Sequence, residues 1–276
     1  MKHYATMLSV AGSDCSGGAG IQADIKTASA LGVYAMTAIT AITVQNTLGV
    51  TDVQGIRPDV VAGQIDAVFT DIPPMAVKTG MLFSSDIVAA TAKSLASNHA
   101  ANVVVDPVMV STSGSQLISD DAIATMIERL FPLATIITPN YAEACRLTGE
   151  TDPTRQADAF HKMGVKSVLL KGGDAPAGNH GIKTDYLSVD NGPLIPLDAP
   201  SIMTPNTHGT GCTLSSAIAS YLALGHDLEA AVRLAKEYIT SALRHGAEIG
   251  CGNGHGPVNH LFNPHNLYIY DDNQAQ

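Results

Sequence analysis

No stretch of the 276 residues is apolar for long enough to cross a membrane, and the first residues show no basic region leading into a hydrophobic segment and cleavage site. A cytoplasmic protein is therefore expected. Positive charge is scarce, because 15 Lys and Arg against 25 Asp and Glu leave a formal net charge of −10. Nucleic acid and anionic membrane both need a basic surface and are not expected as partners. Any phosphate must be held locally, by backbone dipoles and a few lysines or a metal. Tryptophan is absent, and the four cysteines (Cys15, Cys145, Cys212, Cys251) form no CxxC pair, which suggests neither a disulfide framework nor a zinc site. No Walker A sequence occurs. A loose dinucleotide pattern, Gly18-x-Gly20-x-x-Ala23, lacks the acid that should close the next strand, since none appears before Asp52.

What is present is an alternation of short apolar runs with amphipathic segments. Apolar runs at residues 7–10, around 34–40 running on to 46, 102–106, 136–140 and 167–170 read as strands, and 76–82 as strand and turn. Helical patterns at residues 21–31, 58–70, 84–97, 120–130 and 155–163 separate them, with Ile21, Ile25 and Ala28 predicted on the buried face of the first. Two short strands flanking Asp190-Asn191-Gly192 read as a hairpin. This order specifies one α/β domain, a mostly parallel sheet with helices on both faces, over residues 1–270, with a polar tail at 271–276.

Residues 203–215, MTPNTHGTGCTLS, organise the rest. A glycine-rich turn empties into a helix whose stripe is Leu214, Ala217, Ile218, Tyr221 and Leu222, closed by Gly225. The first amides of a helix have no partner within it, and glycines admit a ligand close to them. Gly209, Thr210 and Gly211 therefore read as an anion site suited to a phosphoryl group in transfer. Cys212, at that helix terminus, is expected to have a lowered thiol pKa and to take a proton from an acceptor alcohol.

Other polar residues stand at strand exits, where open parallel sheets bind ligands. Asp106 follows an apolar strand. Asn140-x-x-Glu143 opens a helix, a position that also suits an ordinary N-terminal acid. Gln45 closes the second strand, where an amide reads a ring or simply caps a turn. Asp24 is by residue type an unremarked helix carboxylate. Residues 108–117, rich in Ser and Gly, suit a lid. On the helix at residues 227–245, Lys236 borders the buried stripe and either snorkels outward or points into a cleft.

NTHGTGCTLS, GSDCSGGAGIQADIKT, VQNT, KTGML and GHGPVNH together resemble the hydroxymethylpyrimidine and phosphomethylpyrimidine kinases of thiamine synthesis, a branch of the ribokinase-like superfamily. The resemblance spans nearly the whole chain and implies a single ribokinase-like domain. It implies ATP-dependent phosphorylation of 4-amino-5-hydroxymethyl-2-methylpyrimidine and then of its monophosphate, with Mg²⁺. It places Gly12, Asp24, Gln45, Met81 and Val108 at the acceptor, and Asn140, Lys171, Thr207 and His208 at the nucleotide. Asp106 and Glu143 are implied at the metal, and Gly209, Thr210, Gly211, Cys212 and Lys236 at the transfer itself. A homodimer is the expected assembly. A pyridoxal or pyridoxine kinase on the same scaffold is the alternative. Ser111, where close pyridoxal kinases can carry a lid cysteine, favours the pyrimidine. Thr112 replaces the lysine the family often has there, so no charged role is expected of the lid.

Overall fold

In the computed structural model, which describes residues 2–110, 117–173 and 181–271, strands and helices alternate as the apolar pattern requires. In chain order they are β1 (Lys2–Tyr4), β2 (Thr6–Asp14), α1 (Gly20–Ala30), β3 (Tyr34–Asn46), β4 (Gly49–Gly55), α2 (Pro58–Asp71), β5 (Ala76–Thr79) and α3 (Ser85–Ser97). There follow β6 (Val103–Val105), α4 (Asp120–Thr125), β7 (Ile136–Ile137), α5 (Tyr141–Thr148), α6 (Pro153–Lys162) and β8 (Val168–Leu170). The hairpin of β9 (Ile182–Ser188) and β10 (Ile195–Pro200), then α7 (Thr210–Ala223), α8 (Leu228–Gly246) and β11 (Ile269–Asp271), complete the chain.

The main sheet runs β10-β9-β8-β7-β6-β5-β2-β3-β4. Its centre, β8 to β3, is parallel, and the edge strands β4, β9 and β10 are antiparallel. Side chains alternate across the sheet, so each strand feeds two cores. Leu8, Val10, Val77, Val105, Ile137 and Val168 pack under α2 to α6. Met7, Ala76, Val104, Ile136 and Leu169 pack under α1, α7 and α8. α7 is buried almost all round, from Thr213 to Ser220, because α1 and α8 cover the sides that the sheet does not.

Several details differ from the sequence reading. On α1 the buried face carries Ile21, Asp24, Thr27 and Ala28, and Ile25 is 38% exposed. The helix is rotated because Asp24 is drawn inward by a partner that local pattern does not contain. β4 is a free-edge strand with a mixed pattern, invisible to an alternation test. The helical pattern at 120–130 loosens after Thr125 into a π-turn over Met126–Leu130. Near the terminus, β11 pairs antiparallel with β1, and Tyr270, which stacks on His3, donates its hydroxyl to the Ala223 carbonyl at 3.0 Å. That places Tyr270 and Asp271 in the fold, and residues 272–276 of the expected tail lie outside the described residues. Among the described residues no helix is long and apolar enough to cross a membrane.

Candidate active site

The carboxyl ends of β2, β3, β5, β6, β7 and β8 open into one cleft of about 710 Å³. The start of α7 faces it. Gly209, with φ of +80°, is the residue before the helix, and a Cβ there would strike the Gly18 carbonyl, so only glycine brings the two loops together. The Thr210 amide donates to the Thr207 carbonyl at 3.2 Å and that of Thr213 to the Gly209 carbonyl at 2.8 Å. The amides of Gly211 and Cys212 between them have no acceptor among the described residues. A Cβ on Gly211 would stand 3.3 Å from Lys171 Nζ and 3.6 Å from Asp106 Oδ2, which puts this helix terminus directly against that ion pair.

Asp106 and Lys171 are 3.0 Å apart, both largely buried. Thr138 donates to Asp106 Oδ1 at 3.3 Å and Ser215 donates to its Oδ2 at 3.2 Å. Burial alone would lower the Lys171 pKa, but Asp106 and Glu143 outweigh it and raise it. Asn140 and Glu143 form a reciprocal cap on α5: the Glu143 amide donates to Asn140 Oδ1 and the Asn140 amide to Glu143 Oε2, each at 2.8 Å. The ordinary capping role of this pair is therefore real, and Glu143 still lines the cleft. Burial pushes its carboxyl up to about 7, with the negative charge of Asp106 adding to the shift and Lys171 opposing it.

Beneath the start of α7 lies a buried pair that the sequence reading did not assign. Lys78, from the centre of β5, is 0% exposed and binds both Asp24 oxygens at 2.8 Å. Ser9 and Ser216 donate to the same carboxylate. Asp24, expected at the acceptor, is fully buried and is not among the residues that line the cleft. Four donor contacts hold it behind the wall, and Lys78 lines the cleft in its place. The expected lowering of the Cys212 thiol pKa is also wrong. Burial pushes it up to about 11; Lys78 pulls it down, but Asp24 and Asp106 oppose ionisation. Desolvation and two carboxylates outweigh the helix terminus, so the thiol is neutral at pH 7.

At the other end of the cleft, Gln45 projects where β3 bulges against β4, the register shifting between Val44 and Gln45. Cys15 donates to the Gln45 carbonyl at 3.1 Å and accepts from the Gln45 amide, clasping that strand end. Gly12, Met81 and Val108 line the cleft. A Cβ on Gly12 would meet Met81 Cε at 2.7 Å, so this wall is close-packed. His208, expected at the nucleotide, lies against the loop after β2, 2.8 Å from Asp14 Oδ2 and 3.3 Å from the Gln45 side-chain amide. Its main chain pairs with the loop at Gly256 and Pro257, which turns the ring toward β2. Thr207 remains on the cleft wall, and Thr210 donates to its carbonyl at 2.6 Å. Lys236 points inward, 2.6 Å from Asp185 Oδ2. The stretch at 111–116, including Ser111 and Thr112, lies outside the described residues. Among the described residues no group of three or more His, Cys, Asp and Glu is arranged to hold a metal.

The family model for phosphomethylpyrimidine kinase matches residues 14–259. The chain belongs to that family. Among phosphomethylpyrimidine kinase relatives, the hydroxymethylpyrimidine/phosphomethylpyrimidine kinase of Rhizobium meliloti is 48% identical over 263 residues, 93% of this chain and 97% of the relative. The thiamine biosynthesis bifunctional protein ThiED of Geobacter sulfurreducens is 49% identical over 93% of this chain, which spans about half (52%) of that longer protein. A crystal structure of phosphomethylpyrimidine kinase from Clostridium difficile superimposes with a TM-score of 0.75 at 44% identity, covering 86% of this chain and 99% of that one. The ADP complex of Bacillus subtilis pyridoxal kinase gives 0.85 at 36% identity, with 94% and 98% covered.

Within this phosphomethylpyrimidine kinase cleft the structure brings together all the residues named from sequence except Asp24. It adds Asp14, Lys78 and Asp185, each the partner of a residue already named or of Asp24. Lys78 did leave a signal: a lysine inside the apolar run of a central strand must be paired or it would not be buried.

Proposed function

We propose that this chain transfers the γ-phosphoryl of ATP to 4-amino-5-hydroxymethyl-2-methylpyrimidine and then to the resulting monophosphate. The observation that supports it most is the pair of free amides at Gly211 and Cys212, set against Lys171 and Asp106 in the same cleft as Gln45. Phosphoryl transfer asks for positioning and charge stabilisation, and this arrangement supplies both. The amides and Lys171 receive the charge that builds on the equatorial phosphoryl oxygens, while Lys236, fixed by Asp185, faces the nucleotide side. A loose transition state needs little deprotonation of the attacking alcohol. The neutral Cys212 thiol therefore holds the acceptor by a hydrogen bond, and the alcohol's proton passes to the transferred phosphoryl rather than to sulfur.

Asp106 and Glu143 fit Mg²⁺ held mainly through its waters, since they offer hard oxygen ligands and Mg²⁺ takes few carboxylates directly. The ion would neutralise the β- and γ-phosphates of the nucleotide. Glu143 must be ionised to help hold it. The sign of its shift gives two consequences. Folding favours the protonated form, so its contribution to stability is complete below its ordinary value of 4.5 and is lost as pH rises through about 7. Nucleotide binding runs the other way: the apparent KM for MgATP should fall as pH rises through about 7. Glu143→Gln, which keeps the cap on Asn140, should flatten that dependence. A wild-type KM that is flat across this range contradicts the assignment.

The neutral thiol bears on the second transfer. A phosphate monoester acceptor is already an anion, and a carboxylate beside it would repel it. Cys212→Asp is expected to slow formation of the diphosphate more than formation of the monophosphate, read by separating the two products over time. Equal losses contradict this. The proposal includes a homodimer, read by light scattering of the purified chain. The reaction itself is tested by mass spectrometry of products from the pyrimidine, ATP and Mg²⁺, with pyridoxal in parallel. Mono- and diphosphate of the pyrimidine are expected; phosphorylation of pyridoxal alone contradicts the reading.

A further inference from the structure

Amide nitrogen and oxygen are told apart only by their partners; the Gln45 side chain, placed with Nε2 toward His208 and Oε1 toward Thr43, must on that ground be turned over. Asp14 is 3% exposed and accepts from five donors: the Ser16 amide and hydroxyl at Oδ1, and Gly18 N, Ala19 N and His208 Nε2 at Oδ2. Burial would raise its pKa, but His208 and the other donors outweigh that and hold it far below the ordinary carboxylate range. An ionised carboxylate has no proton to give, so at 2.8 Å the proton sits on His208 Nε2, whether the ring is neutral or charged. The Gln45 atom 3.3 Å from that N–H must then be the oxygen, because an amide nitrogen would set donor against donor.

The other end accommodates the same answer. Thr43 is buried, and its single hydroxyl proton has an acceptor in the Ser13 carbonyl at 3.0 Å. With the amide so turned, the Gln45 nitrogen stands 3.2 Å from Thr43 Oγ1 and donates to the hydroxyl's lone pair. With one N–H given to Thr43, the amide keeps one N–H and one oxygen lone pair for the cleft.

We propose that Asp14, His208 and Thr43 are positioning residues that lock the Gln45 amide in this one orientation and so select an acceptor ring bearing a nitrogen lone pair beside an exocyclic amine. This rests on the kinase reading above and specifies how its acceptor is chosen. A free amide turns to suit either polarity of ring edge, whereas a locked one penalises a ring that presents a donor where the nitrogen should be.

Two measurements test it. In the ¹⁵N–¹H spectrum of the substrate-free protein, His208 should carry its proton on Nε2; a bare Nε2 overturns the proposal. This spectrum needs no substrate, so a wild type inactive on the pyrimidine would count against the kinase reading and leave the orientation standing. In kinetics, His208→Leu should raise the KM for the aminopyrimidine alcohol about ten-fold with little change in kcat. The same variant should narrow the preference over pyridoxal. His208→Gln, which can still donate to Asp14 and Gln45, should restore both. Equal loss in the Leu and Gln variants, or an unchanged preference in both, overturns the proposal.

Discussion

Gly211→Ala is expected to lower kcat by about 10²- to 10³-fold while leaving the fold as stable as before. The added methyl lies 3.3 Å from Lys171 Nζ and 3.6 Å from Asp106 Oδ2, in the space an incoming phosphoryl must enter to reach the amide. Loss of one preorganised donor to a charged transition state typically costs that much in rate. Stability should change little, because Gly211, in the first turn of α7, has no left-handed backbone requirement and the 3.3 Å contact falls on the far end of the flexible Lys171 side chain. Steady-state kinetics beside thermal unfolding separate the two effects. Gly209→Ala is the contrast: there φ is +80° and the Gly18 carbonyl blocks a Cβ, so unfolding should occur at lower temperature. An active Gly211→Ala enzyme with wild-type kcat would remove the anion site from the account.

Lys78→Met should cost about 3–5 kcal/mol of stability, because it leaves Asp24 charged and buried without its counterion. For a chain of this size that lowers Tm by roughly 10 °C. Ser9 and Ser216 would still donate to Asp24, but hydroxyls do not neutralise a charge. Adding Asp24→Asn should recover part of the loss, since two neutral groups replace one stranded ion. Activity should fall as well, as Lys78 faces the cleft and is the cation that draws the Cys212 pKa down. A single Lys78→Met variant melting with the wild type would contradict the pairing.

The parts of this molecule legible in the sequence are those set by neighbours along the chain. Period-two and period-3.6 patterns mark the central strands and most helices, and Thr207 to Cys212 announce a glycine-gated helix start by composition alone. Asp106, Asn140 and Lys171 line the cleft because the strand exits of a parallel sheet converge there. What stayed hidden depends on contacts distant in sequence. Asp24 meets Lys78 across 54 positions and His208 meets Asp14 across 194, so neither burial nor orientation follows from local pattern. The thiol pKa failed for a related reason: the helix terminus is visible in the sequence, but the burial of Cys212 and the nearness of Asp24 and Asp106 are not. β4 and the β1–β11 pair are short and carry no periodicity, so only tertiary placement makes them strands.

The central claim is that the amides of Gly211 and Cys212 receive the phosphoryl in flight, opposite Asp106 and Lys171. A crystal structure with ADP, Mg²⁺, aluminium fluoride and the pyrimidine alcohol tests it most directly. The account predicts fluoride atoms about 2.7–3.1 Å from those two amide nitrogens, with the alcohol oxygen in line on the Gln45 side. Metal fluoride bound elsewhere in the cleft, with both amides turned to solvent, would contradict it.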